Sequence, residues 1–562
     1  MYVPRAAQIQ RDMTQTDVVV IGGGANGTGL ARDLAKRGLQ VTLFEKGDIG
    51  RGATGASSGM IHGGPRYLLN DVDTTKHSCE DSGYIQQIAS HIIFRIPYLL
   101  PVPTLNPYGK ASLLLHDVYF DVYDRYAILK NGIPHARLTI SEMLSVEPGI
   151  RGDFMGAVTL DEWGIDAVRL CLLNLLDAER HGAVAHTYTE VVGFVRNDAG
   201  ALCGVRVRET GQSQVREVYA KAIVNCGGPW AEQLAGLGGA QAKLRPGKGV
   251  HLIYEKRLSN FAVIMPAVDG RAIFAMPYQN ETWVGTTDDD YYGDLDDLWA
   301  TQDEIGYLRE AVVRVLPDMA GLRLIGTRVG VRNTIHGWGK LEDELSRGYK
   351  ILEHQSLAQT GTGFYSVVGG KLASYRVQAQ DAADKVCEDL GRRVRCETHL
   401  HQLSGADRAP TDIELAHIYG ISPLAARRIL SRHGSQSTDV LDVGRETHTG
   451  FSCVCPCEPT LECEVRYCIR REHVVRLGDL MTRCRIGVGA CQGTRCAVRA
   501  AQIFAQERCL APTDEREALM EFLARRWRTA RPIMTDQQLA QAELLMTNYT
   551  GLWQVPSPVP LS

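Results

Sequence analysis

Asp17 to Lys46 reads DVVVIGGGANGTGLARDLAKRGLQVTLFEK. An apolar run gives way to a glycine turn, a helix with its apolar positions on one face, and a second apolar strand ending at Glu45. Gly22, Gly24 and Gly27 form G-x-G-x-x-G, with Gly29 two positions beyond. Without Cβ atoms these glycines let the backbone approach a pyrophosphate at the positive end of the helix that follows. Glu45, eighteen residues after Gly27, stands where an acid binds ribose hydroxyls. A glycine turn alone would be an ordinary surface turn. A strand before it, a helix after it and an acid at this distance point to dinucleotide binding in a doubly wound α/β domain.

The next segment, GDIGRGATGASSGMIHGGPRYL (Gly47 to Leu68), contains seven glycines and suits backbone wound against a large cofactor, where the plain alternative is a flexible loop. Here a resemblance becomes specific. IGGGANGTGLARDLAKRG (Ile21 to Gly38), with Asp33, Arg37 and Gly38 in place, resembles the first signature of FAD-dependent glycerol-3-phosphate dehydrogenases, and GGKLASYRVQA (Gly369 to Ala379) resembles the second. HGGPRYL, VNCGGPWA (Val224 to Ala231), KGVHL (Lys248 to Leu252), VGTTDDDYYGD (Val284 to Asp294) and GVR (Gly330 to Arg332) follow in the family's order. The resemblance implies a doubly wound FAD-binding domain (15–84, 162–244 and 326–394) interleaved with an α+β substrate domain (85–161 and 245–325). A helical segment (395–447), a small cysteine-rich [2Fe-2S] domain (451–510) and a C-terminal tail (511–562) complete the expected architecture. FAD would be held by Gly22, Gly24, Gly27, Glu45, Ser57, Ser58, Gly63, Gly64, Gly369 and Gly370.

The substrate implied is glycerol 3-phosphate, a small dianion with a secondary alcohol, which needs fixed cations and a proton acceptor. Arg66, Tyr67, Arg332 and Lys371 match the family positions that line this site. Taken singly, each cation would more often be solvated; Arg332 and Lys371, however, sit beside glycines in apolar segments, where an unpaired charge is costly. His251 in GKGVHLIYE resembles a histidine near the carbinol and is expected to be the base, together with Arg332 and Lys371 as the catalytic set. His62 and Tyr67 could orient flavin or substrate. A rival reading is a flavin dehydrogenase of a 2-hydroxy or amino acid, which needs only a carboxylate clamp.

Of the 15 cysteines, nine lie between Cys453 and Cys509, four of them within SCVCPCEPTLEC (Ser452 to Cys463). Clustered thiols serve disulfides, zinc or iron–sulfur clusters. CPCEPTLECEVRYCI followed by RCRIGVGACQGTRC resembles the bacterioferritin-associated-ferredoxin-like module of anaerobic glycerol-3-phosphate dehydrogenase catalytic subunits, which implies Cys455, Cys457, Cys491 and Cys496 as ligands of a [2Fe-2S] cluster. A C-x-C start also disfavours common structural zinc. Cys453 offers a competing register, and Cys463, Cys468 and Cys484 are left over. Electrons would pass from flavin through the cluster to partner subunits and quinone; a non-catalytic electron-transfer module is the remaining alternative.

The charge balance, 61 basic against 65 acidic residues in 562, carries no footprint for nucleic acid. The N-terminal stretch lacks the apolar core of a signal peptide, so a cytoplasmic protein is expected, reaching the inner face of the cell membrane through its partners. SHIIFRIPYLLPVP (Ser90 to Pro103) is apolar and proline-broken; it is either a buried edge of the substrate domain or a peripheral membrane contact. The polar HGSQSTDVLDVGRETHTG (His433 to Gly450) is expected to be a linker.

Overall fold

The computed structural model describes residues 15–68, 71–104, 111–340 and 345–552. Gln15–Ile21 (β1), Ala25–Lys36 (α1) and Val41–Phe44 (β2) form the expected strand–helix–strand unit. β1 lies centrally in an eight-stranded sheet, parallel to β2 on one side and to Val215–Asn225 on the other. Val184–His186 and Gly363–Gly369 extend the parallel core, and Tyr349–Gln355 closes one edge antiparallel. Val18 and Val20 pack with Leu30, Leu34 and Leu170 beneath helices, while Val19 and Ile21 face Phe44, Phe194 and Phe364. Both faces are covered, which is why β1 reads as an unbroken apolar run rather than an alternation.

A nine-stranded, mainly antiparallel sheet forms the second layer. Its Ile93–Pro103 strand lies between Ala262–Pro266 and Phe154–Ile165, with Ile96, Tyr98, Leu99 and Val102 buried. A sheet interior accounts for the apolar character of these four positions. Leu324–Ile335 pairs along the whole of Leu244–Tyr254 in this sheet, so segment 326–394 serves both sheets.

Two expectations about the C-terminal third need correction. His433 to Gly450 is not a linker: His433 is buried, Ser437–Asp442 is helical, and Val440 and Leu441 share a core with Leu461 and Cys463. Polar composition misleads here because Ser437 and His433 are hydrogen-bonded inside the fold. Nor does a tail begin at 511. Pro512–Ala530 is a helix whose Leu519, Met520, Phe522 and Leu523 complete the core built around Val465, Leu480, Ile486 and Phe504. Desolvated ion pairs dock this unit on the first sheet: Arg483 grips Asp48 at 2.5 and 3.0 Å, and Arg169 grips Glu472 with two bonds of 2.6 Å. Among the described residues, no helix is long and apolar enough to cross a membrane.

Candidate functional site

A cavity of about 1680 Å³ runs between the two sheets, from the glycine turn after β1 to the strand Leu324–Ile335. At its first end the glycines are sterically required. A Cβ on Gly22 (φ +111°) would lie 2.5 Å from the Cys226 carbonyl oxygen, and one on Gly27 would lie 1.9 Å from the carbonyl oxygen of Gly22. Gly24 caps α1 without a side chain, leaving the positive helix end turned to the cavity. Glu45 borders the same end; its carboxylate accepts the N–H groups of Gly23 at 2.7 Å and Gly47 at 2.8 Å. Burial raises its pKa, and these two bonds oppose that rise. A backbone cradle at a helix N-terminus with an acid beside it fits the pyrophosphate and ribose of a dinucleotide.

Ser57, Ser58, His62, Gly64 and Tyr67 continue along the wall, and Gly369 and Gly370 close it. Gly63 lies just behind, where a Cβ would meet Cys79 Sγ and Tyr123 Oη at 2.3 Å; its N–H is turned to Glu162 at 3.3 Å. Gly330 must be bare because a Cβ there would be 2.3 Å from that of Ala56.

The far end is cationic. Arg332 donates to Asp288 at 2.7 Å and to the Thr286 hydroxyl at 2.6 Å, while Arg347 takes the other oxygen of Asp288 at 2.9 Å and the Thr334 hydroxyl at 2.8 Å. Two guanidiniums thus share one carboxylate. Lys371 adds a third cation, its Nζ 3.3 Å from the Gly63 carbonyl oxygen and 4.9 Å from the centre of the Tyr67 ring. Arg332, Arg347, Lys371 and Tyr67 all border the cavity. The side chain of Arg66 lies outside the described residues. Arg347 and Asp288 are site residues that the sequence pattern does not single out. Asp288 lies inside a motif conspicuous for its family resemblance, but Arg347 has no local signal, being brought in by the turn before Tyr349–Gln355.

His251 does not border the cavity; Ser58 stands in front of it, Oγ 2.8 Å from Nε2. The ring is buried near Phe274 and Trp283, and Nδ1 has no hydrogen-bond partner. Burial, reinforced by the charges of Arg328 and Arg332, pushes its pKa down to about 3. It is therefore a neutral imidazole joined to the cavity wall by the Ser58 hydroxyl.

The cysteine loop lies on the other side of Leu324–Ile335. Arg323 donates to the Ala490 carbonyl at 3.0 Å. Cys455 neighbours Cys496, and Cys457 neighbours Cys491, with the two pairs close enough to sense each other's charge. The Cys496 thiol lowers the Cys455 pKa and is itself raised in turn. Four thiols in two adjoining pairs are a donor set that fits a four-thiolate centre. Cys453 is exposed, Cys463 lies in a separate core, and Cys468 and Cys484 share with Cys455 and Cys496 the apolar core of this unit. Among the described residues, His433, Cys468 and Glu472 are the one group of three potential ligands whose atoms all lie within 4.8 Å, but Arg169 already bonds both Glu472 oxygens and His433 Nδ1, supplying a cation there.

Residues 17–376 match the family model described as FAD dependent oxidoreductase, and 396–514 match that of the C-terminal domain of alpha-glycerophosphate oxidase. The chain is 32% identical to one subunit of the anaerobic glycerol-3-phosphate dehydrogenase of Escherichia coli K12, over 96% of this chain and 97% of that protein. This chain belongs to the FAD-dependent glycerol-3-phosphate dehydrogenase family. The corresponding Haemophilus influenzae protein is 30% identical, covering 97% of this chain and 94% of its own. Among solved structures, the glycerol-3-phosphate dehydrogenase of Bacillus halodurans complexed with FAD superposes with a TM-score of 0.76, at 23% identity, over 95% of this chain and 99% of that one. That likeness shows the fold.

Proposed function

We propose that this protein is an enzyme that oxidises sn-glycerol 3-phosphate to dihydroxyacetone phosphate with FAD, and that the cysteine centre carries the electrons away. The observation that carries the first part is the joining, in one cavity, of a dinucleotide cradle to the Arg332–Asp288–Arg347 group and Lys371. Two arginine forks and a lysine grouped at one end of the cavity suit the oxygens of a phosphate. FAD, when bound, supplies the hydride acceptor. The chain's residues hold phosphate at the cationic end, keep the carbinol near Ser58, and move its proton: the substrate hydroxyl gives its proton to Ser58 Oγ as Ser58 passes its own to His251 Nε2. A bound dianion would offset the Arg332 charge that lowers His251, strengthening the base when substrate arrives.

The experiment is an anaerobic titration of FAD-loaded protein with glycerol 3-phosphate, glycerol and lactate, following flavin absorbance. Only the phosphate ester should bleach the flavin at low concentration. Bleaching by lactate at equal efficiency would favour the 2-hydroxy acid reading, and no bleaching by any would leave an electron-transfer role alone.

For the second part, Cys455, Cys457, Cys491 and Cys496 would hold a [2Fe-2S] cluster passing single electrons to partner subunits and quinone at the inner face of a cell membrane, from a cytoplasmic enzyme. Support comes from the pairing of these four thiols and from the Pro512–Ala530 helix, which packs on the cysteine loop at Phe522 and borders the cavity at Thr529, about 10 Å along its axis. About two irons per chain are expected in anaerobically purified protein. Stoichiometric zinc without iron would refute it.

A further inference from the structure

The helix that joins the two sites carries a cation with no obvious employment. Phe522 lies over the cysteine loop so closely that a Cβ on Gly487 would be 2.3 Å from its ring and one on Gly493 3.1 Å. One turn on, Arg526 has its Nε buried without a hydrogen-bond partner, within electrostatic reach of Cys491, Cys496 and Glu281. After a further turn, Thr529 borders the cavity and its carbonyl accepts the Thr327 hydroxyl at 2.9 Å. Arg526 therefore faces the cysteine loop on the side toward the cavity.

The neighbouring charges do not neutralise it. Glu458 is bound to Arg485 at 2.6 Å, and Glu281 divides itself between the Trp283 indole at 3.0 Å and Arg485 at 3.3 Å. Arg428, bonded through Nη1 to Gln279, has its own Nε unpartnered and feels the same two carboxylates. Three guanidiniums thus meet two carboxylates at this side of the loop, leaving it cationic until thiolates are formed. Burial lowers Arg526 to about 10, which keeps it charged at neutral pH.

Resting on the reading that the four cysteines hold a cluster, we propose that Arg526 sets its reduction potential, by presenting a fixed positive charge to the Cys491–Cys496 side and so stabilising the form that has gained one electron from reduced flavin. A four-thiolate [2Fe-2S] centre is anionic when oxidised and more so when reduced, so a desolvated cation favours reduction.

Redox titration of the whole protein, followed by visible and electron-paramagnetic spectra with iron assayed in parallel, tests this. Arg526→Gln should keep its iron but shift the reduction equilibrium about tenfold toward the oxidised form, about 59 mV for one electron. Arg526→Lys should retain most of the wild-type potential, and Arg525→Gln, removing an exposed charge from the same helix, should move it by less than about twofold. A wild-type potential in iron-replete Arg526→Gln overturns the proposal. So does loss of iron from both the Gln and Lys forms, which would assign the residue to assembly. Wild-type protein without iron would instead sink the cluster reading itself.

Discussion

The cationic end of the cavity and the cysteine loop both gather like groups that would repel if left alone, but they are built oppositely. At the cavity, Arg332 keeps about a third of its side chain exposed, and its bonds go to one hydroxyl, a shared carboxylate and two carbonyls that can be exchanged for a ligand. At the loop, Cys455 and Cys496 are 1% and 0% exposed, Cys457 and Cys491 are half-buried, and Phe522 packs over Gly487 and Gly493. The first arrangement suits something that arrives and leaves; the second suits a group installed during folding. Guanidinium groups border both, and their neighbours separate them: oxygen acceptors at the first, paired thiols at the second.

The sharpest way to break this contrast is to remove one thiol. Cys457→Ser or Cys491→Ser should eliminate iron and with it turnover with the native acceptor, because a neutral hydroxyl replaces a thiolate. Stopped-flow bleaching of flavin by glycerol 3-phosphate should stay within a few-fold of wild type. Normal turnover in protein shown to lack iron would mean that electrons leave the flavin directly. At the other region, Arg332→Ala or Arg347→Ala should lower kcat/KM for glycerol 3-phosphate by about 2–5 kcal/mol, the range for truncating one partner of a desolvated charge pair, while FAD stays bound. An equal loss with glycerol would show that these arginines support the fold rather than a phosphate.

Next in scale is the proton path. Ser58→Ala and His251→Asn should each reduce kcat about 100-fold, the lower range for general base catalysis. With a depressed pKa, His251 stays neutral as pH falls through the ordinary histidine range, so kcat/KM should show no acid limb near 6.5. The stability linkage has the matching sign. The unfolded state alone takes up this proton between about 6.5 and about 3, so His251 costs stability as pH drops through that window and nothing above it. An activity limb near 6.5 that disappears in His251→Asn would show the imidazole to be solvent-coupled instead. The smallest expected effect is at the acid beside the cradle: Glu45→Gln should weaken FAD retention by about tenfold, or 1.4 kcal/mol, measured as flavin per chain after dialysis. Full retention would mean that Glu45 serves the N–H groups of the turn and not a ribose.

How legible each region is follows from how far apart its parts lie in the chain. Gly22, Gly24, Gly27 and Glu45 act within thirty residues, each constrained by local backbone geometry, so their spacing carries the fold. The cysteine quartet needs two segments, yet thiols are scarce enough that their positions stand out. Arg347 and Asp288 meet only because Tyr349–Gln355 pairs at the edge of one sheet while Asp288 hangs from the other, and one arginine among many has no distinguishing neighbours. Ser58 screening His251 is likewise invisible, since alternation along a strand says that a residue points inward, but not what stands before it. The helix from Pro512 escapes the sequence pattern for a related reason: its apolar stripe is covered by the cysteine loop, not by its sequence neighbours.

The Arg483–Asp48 pair has a mechanical consequence. Asp48 is three residues beyond Glu45, so the cysteine unit is bolted to the turn that faces the dinucleotide, and Tyr188 and Thr482 add hydrogen bonds to Asp479 and Asp48 at the same joint. Carrier domains on tethers must swing to meet their donors, and their rates slow in viscous solvent. A unit mounted this way has no stroke to make: intramolecular electron transfer here should be indifferent to added glycerol or sucrose, with distance fixed by the mount and rate by driving force alone.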